Sequence, residues 1–157
     1  MNKTRKGFTL IELLVVISLL GLLAALALVS YTGTQKQARD TQRKSDTRQY
    51  QNSLEIFANK YDGIYLSYGS AASVNATILC TPLGLGTNCP DDPRIDEGQS
   101  SYQFSADGPG DGTVSATQYV LWAELENTSE YWIVCSNGMA GTNDLSGGFP
   151  VGGTCPL

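Results

Sequence analysis

Lys6-Gly7-Phe8-Thr9-Leu10-Ile11-Glu12 leads into a stretch that stays almost wholly apolar from Leu13 to Val29. Glu12 decides how this stretch is read. A bare carboxylate costs roughly 3 kcal/mol or more at a bilayer centre, so an acid at the start of a lipid-compatible run signals a function and needs a partner. One candidate partner is an α-amino group. A cut after Gly7 would make Phe8 the new terminus, shortly before Glu12. That ammonium and the acid would neutralise one another, within one chain or between neighbouring subunits.

Two simpler readings compete. In a secretory signal peptide, Lys3, Arg5 and Lys6 would form the basic region and Ala25-Leu26-Ala27 the small-x-small site. An acid inside the apolar region argues against it, as does a run longer than the usual ~7–15 residues. A plain single-span anchor fits better, because Leu13–Val29 approaches the ~20 residues a spanning helix needs. Lys3, Arg5 and Lys6 would then keep the N-terminus cytoplasmic. This reading leaves Glu12 unexplained.

Gly7-Phe8-Thr9-Leu10-Ile11-Glu12-Leu13 resembles the class III signal of type IV pilins and of type II secretion pseudopilins. The resemblance covers about Lys6–Ala27, including Gly21, Ala24, Ala25 and Ala27. It implies that a membrane prepilin peptidase cuts after Gly7 and methylates the Phe8 amine, and that Glu12 recruits each subunit into a helical filament. The implied partners are copies of the same chain in a homo-oligomeric filament, other minor pilins, an assembly platform and, before assembly, the membrane. The precursor would sit in the cytoplasmic membrane with its leader inside, and the product would be a filament on the cell surface. The signal does not separate a long pilus from a pseudopilin piston of a secretion or DNA-uptake machine. The family often has Pro where this chain has Val29, so Gly21 is the remaining weak spot in the helix.

The implied division is a leader at 1–7, an apolar helix at 8–30, an amphipathic helix at 31–62 and a disulfide-stapled head at 63–157. From Gln35 to Tyr61 there is no Pro or Gly, and good helix formers predominate. Thr47, Tyr50, Leu54, Phe57 and Tyr61 recur at helical spacing and predict a stripe that the rest of the chain covers. Arg39, Arg43, Gln49 and Glu55 fall largely on the other sides. Gly33 is a point where the helix could bend, and Asp62-Gly63 supplies its stop. With the apolar half this makes a rod of about fifty residues, or ~75 Å.

Tyr65–Asp111 reads mostly as connection. Ser101–Ser105, Gln118–Leu125 and Tyr131–Cys135 read as strands. The expected fold class is α+β and pilin-like: a long N-terminal helix on an antiparallel sheet of three to four strands, burying Tyr102, Phe104, Leu121 and Ile133 or their neighbours. Both faces of Tyr119–Leu125 carry large apolar residues, which leaves the inward parity open. The tail from Asn137 is Gly-rich with few strand cues.

Charge is segregated. Lys36–Lys60 holds six bases against Asp40, Asp46 and Glu55, whereas from Tyr61 onward Arg94 is the only base against eleven acids. Such a head does not favour nucleic acid, because phosphate contacts need Lys and Arg. It suits head-to-tail stacking of acidic heads near basic stems. Cys80, Cys89, Cys135 and Cys155 all follow the apolar run, an even count that reads as two disulfides in an exported domain. Of the three pairings, Cys80–Cys89 and Cys135–Cys155 close local loops and are preferred. Zinc is not favoured, since the chain has no His and no Cys-x-x-Cys.

Catalysis finds no support: there is no His base, no Gly-x-Ser-x-Gly elbow and no phosphate loop. Asp107-Gly108-Pro109-Gly110-Asp111-Gly112 sets two carboxylates in a glycine-bent loop, a candidate calcium site through Asp107 and Asp111. Some pseudopilins that this chain resembles hold calcium in the head. Asn75-Ala76-Thr77 and Asn127-Thr128-Ser129 match the glycosylation sequon, a pattern frequent by chance.

Overall fold

The computed structural model describes residues 7–69, 74–86 and 89–157. They fall into two compact units, residues 7–36 and 37–157. One helix, α1 (Leu10–Lys60), begins in the first and ends in the second, with helical geometry unbroken through Gly21 and Gly33. It stops in a left-handed turn. Asp62 and Gly63 have φ of 53° and 83°, and the Gly63 N–H donates back to the Ala58 carbonyl at 2.9 Å. This six-to-one bond satisfies a carbonyl the helix end would otherwise orphan.

Within residues 37–157 the α1 segment buries Asp40, Arg43, Thr47, Tyr50, Leu54 and Ala58, one stripe at spacings of three and four. Two details depart from the expected stripe. Arg43, assigned to the outer sides, is fully buried, and Tyr61 is 39% exposed. Phe57 and Tyr61 instead stack on each other at 4.4 Å beside the stripe, whose last buried position is Ala58.

Among the described residues seven strands follow: β1 (Tyr65–Tyr68), β2 (Val74–Asn75), β3 (Gln103–Ala106), β4 (Asp111–Ala116), β5 (Tyr119–Glu124), β6 (Tyr131–Cys135) and β7 (Ala140–Asn143). β1 and β4 form an antiparallel ribbon, and the others an antiparallel sheet in the order β2-β3-β5-β6-β7. Register is set by apolar cross-strand neighbours: Phe104 opposes Leu121, which opposes Val134, while Trp122 opposes Ile133. β1 lies where a connection was expected. Tyr65 and Leu66 are buried there, and Tyr65 packs edge-on to Tyr119 at 4.8 Å. β7 lies in the Gly-rich tail, paired with β6 from Tyr131↔Asn143 to Val134↔Ala140.

The parity question for β5 has a physical answer: both faces are buried. Tyr119, Leu121 and Ala123 join Tyr50, Leu54, Phe104 and Val134 in the core beside α1. Val120 and Trp122 join Ile133, Cys135 and Leu145 in a second core, with Cys155 and Leu157 packed against it. Ile133 thus sits on the far face, and its neighbour Val134 takes the helix side. The C-terminal tail is held there by the Cys135–Cys155 disulfide and by Gln118 Nε2 donating to the Gly152 carbonyl at 3.0 Å. Cys80 and Cys89 are also bonded. Tyr50 reaches their loop, donating to the Pro90 carbonyl at 2.7 Å.

Candidate functional site

The residues singled out at the N-terminus begin with Gly7 and Phe8, ahead of α1; Met1–Lys6, with the leader bases Lys3, Arg5 and Lys6, lie outside the described residues. Gly7 meets open space and Phe8 is 86% exposed. Glu12 is exposed and sits in the first turn of α1. One of its oxygens, Oε2, accepts from the Thr9 backbone N–H at 2.9 Å and the Thr9 hydroxyl at 2.8 Å. The Thr9 hydroxyl oxygen in turn accepts from the Glu12 N–H at 3.3 Å. This is a reciprocal capping box, with Thr9 as N-cap and Glu12 three residues on. Among the described residues, Oε1 of Glu12 has no hydrogen bond.

The box was legible in the sequence. Ser or Thr followed three residues later by Glu, just before an apolar run, is its signature, and Thr9-Leu10-Ile11-Glu12 fits it. It adds a role to Glu12 besides a distant cation: the carboxylate satisfies the Thr9 N–H at the helix start, which lipid cannot. The positive end of the helix favours the negative charge there.

From Phe8 to Leu26 every large apolar side chain is exposed, including Leu10 at 89% and Leu26 at 65%. The helix is long and apolar enough to cross a membrane, and none of that apolar stretch is buried within the chain. Exposed apolar surface on this scale marks a protein or membrane contact.

In the head, the segregated charges meet within one chain. Arg43 donates from Nε to Asp92 at 2.6 Å, from Nη2 to Asp92 at 3.0 Å and from Nη1 to Asp40 at 2.8 Å, and it pairs with Glu126 at 2.8 Å. Glu126 also receives Arg39 at 2.7 Å and Arg94 at 3.1 Å. Asp40 accepts the backbone N–H groups of Glu126 and Asn127 at 2.8 and 3.0 Å, tying the β5–β6 loop to the helix. Burial opposes the Arg43 charge but is outweighed by bonds to Asp92, Glu126 and Asp40, which raise its pKa. The Arg39 hydrogen bond, then Arg43, pulls Glu126 down to about 2 against the effect of burial.

Asp107 and Asp111 are each turned onto their own loop. Asp107 accepts from the Thr117 N–H and hydroxyl, both at 2.6 Å, and from the Gln118 N–H at 3.1 Å, closing the neck of the β4 excursion. Burial raises its pKa, but these bonds from Thr117 and Gln118 outweigh it and hold the carboxyl below its usual range. Asp111 accepts from the Thr113 N–H at 3.0 Å and hydroxyl at 2.7 Å. Gly108 takes φ +86°, where an added Cβ would lie 2.7 Å from Ser67 Oγ. Among the described residues there is no group of three or more acids or cysteines placed to hold a metal ion. Of the sequon residues, Asn75 accepts at its side-chain oxygen from Gln103 Nε2 at 2.8 Å, and Asn127 donates its backbone N–H to Asp40 at 3.0 Å.

Comparison with known proteins agrees with this geometry. The family described as the prokaryotic N-terminal methylation motif matches residues 2–28. The type IV major pilin protein PilE1 of Neisseria gonorrhoeae is 27% identical over 153 residues, covering 92% of this chain and 83% of the relative. The type IV major fimbrial protein FimA of Dichelobacter nodosus is 26% identical over 130 residues, covering 81% and 69%. No solved structure matches. A capped apolar helix, an α+β head and this motif at the N-terminus make the architecture pilin-like. The chain carries this methylation motif and is similar over most of its length to type IV major pilins.

Proposed function

We propose that the chain is the subunit of an extracellular helical filament, released from a membrane precursor by cleavage between Gly7 and Phe8 and assembled through its apolar helix. The observation that carries this reading is Glu12: one acid in a wholly exposed apolar stretch, with one oxygen spent on Thr9 and the other without a partner among the described residues. Cleavage after Gly7 keeps the Phe8–Thr9 peptide, so the capping N–H survives maturation. The free oxygen then faces the surroundings of the helix, where a neighbour's terminal ammonium or the chain's own can neutralise it. Packing of apolar helices against one another replaces contacts with lipid.

The Phe8 amine is the methylation position in this reading, and prepilin peptidase and an assembly platform are its partners. Similarity to major pilins supports a long fibre over a short piston.

Mass spectrometry of the mature N-terminus and the yield of sheared filaments test the proposal. Methyl-Phe8 is expected, and Glu12→Ala is expected to be processed yet to lose at least about tenfold in filament yield, as a loss of about 1.4 kcal/mol in the association equilibrium would give. An intact Met1 would instead leave a membrane-anchored exported domain. Normal filaments from Glu12→Ala would remove the acid from the mechanism.

A further inference from the structure

The C-terminal end of α1 carries an apolar groove that the head leaves open. Ile56, Phe57 and Tyr61 line it from the helix, and Pro82 and Leu83 from the loop closed by the Cys80–Cys89 disulfide, around a volume of about 220 Å³. Ile56 is 71% exposed and Tyr61 39%, so another molecule can touch both. Lys60 also lines the groove, with its ammonium over the Tyr61 ring at 5.5 Å. Arg39 and Arg43 are spent on acids of their own chain, whereas Lys60 enters no ion pair among the described residues. No acid is among the described residues lining the groove. Glu55, on the same helix, turns to the Tyr65 and Tyr119 hydroxyls at 3.1 and 2.9 Å.

The occupant that matches this groove is apolar with a negative flank. Elsewhere on the head, large apolar side chains stand exposed at Ile78, Ile95, Val114, Met139, Phe149 and Val151. Of these, only Ile95 adjoins acids: Asp96 and Glu97, both exposed. Glu97 is held by Arg94 at 2.7 Å, whereas Asp96 makes no hydrogen bond or ion pair among the described residues. Ile95–Glu97 form one 3₁₀ turn, fixed in place because Arg94 also binds Glu126, which binds Arg39.

That anchoring sets the turn at the Arg39 end of the head and the groove at the other end. Arg39 and Phe57 lie ~27 Å apart along α1, at 1.5 Å per residue, so knob and groove do not meet within one chain. A knob at one end and its complement at the other make a heterologous contact, which joins copies into an open row. We propose that the groove receives Ile95–Glu97 of a second copy, Ile95 against Ile56, Tyr61 and Leu83, and Asp96 against Lys60. The inference rests on the filament reading, in which parallel apolar helices carry the heads in one orientation, and it adds which surfaces of the heads meet.

Filaments sheared from cells expressing the full chain test it, alongside mass spectrometry of the N-terminus. Lys60→Glu and Asp96→Lys should each lower filament yield about threefold or more, because each sets like charges against one another. The double variant Lys60→Glu/Asp96→Lys should return to within about twofold of wild type. Ile56→Asp should lower the yield about tenfold while leaving unfolding of the monomer in micelles unchanged, since the side chain is exposed. A zero-length carbodiimide should join Lys60 to Asp96 in wild-type filaments, a link that only two copies can make. Normal yield from both single charge variants, a double variant no better than either, or filaments without that link would overturn this contact and leave the filament standing. A wild-type chain that keeps Met1 and forms no filament would overturn both.

Discussion

Residues 7–36 and residues 37–157 each handle ionisable groups among apolar neighbours, and they do it differently. In the first unit Glu12 is served by one residue three positions away, and the side chains around it are bare. In the second, Arg43 is buried and served by Asp40 on its own helix, Asp92 in a loop and Glu126 after β5. A charge completed inside the chain is part of the fold. A charge half completed, on a surface the chain does not cover, is in the proposed filament completed by other molecules. The contrast places the buried charge network in the head and leaves the N-terminal apolar stretch uncovered by the chain.

The strongest way to break that contrast is Arg43→Met. It keeps the stem of the side chain but leaves Asp92, Asp40 and Glu126 facing one another in a buried site, which should cost about 3–5 kcal/mol. Denaturant unfolding of the full chain in micelles measures it, with the exposed Arg48→Met as control. A loss no larger than the control's would mean that the network is ornamental to stability. Glu126 gives a smaller, pH-dependent effect. Its folded pKa, about 2, lies below its ordinary 4.5, so its ionised form stabilises the head fully above about 4.5 and that stability drains away as pH falls towards 2. Wild-type stability should fall by about 2 kcal/mol across that window beyond the fall in Glu126→Gln. Parallel pH curves for the two would contradict the assignment.

How far the sequence reaches depends on how local the deciding contacts are. The long helix, its stop at Asp62-Gly63 and the strands around Phe104, Trp122 and Ile133 come from patterns within a few residues, and they read correctly. The Cys135–Cys155 pairing follows from the same local logic. Arg43 does not, because its burial is decided by Asp92 and Glu126, far along the chain, and arginine is otherwise a surface residue. β5 shows the limit of periodicity: Tyr119 to Glu124 has no polar face to mark, since α1 covers one side and the disulfide-held tail the other. Tyr65–Tyr68 was obscured by its Gly- and Ser-rich surroundings, although its tyrosines and Leu66 have strand character. At the N-terminus the acid was conspicuous while its neighbour Thr9 was not, although the two are one device.

The smallest expected effect separates the two duties of Glu12. Thr9→Val removes the hydroxyl that caps α1 and should cost about 1 kcal/mol locally, read as roughly fivefold faster amide exchange at Leu10–Leu13 in micelles. Thr9→Ser should restore protection. If capping were all that Glu12 did, Thr9→Val and Glu12→Ala would reduce filament yield alike. If the oxygen that Thr9 leaves free takes a neighbour's ammonium, Thr9→Val retains most of the yield while Glu12→Ala loses it. Equal losses would therefore confine Glu12 to starting its own helix, and the first unit would then complete its charge internally, as the second does.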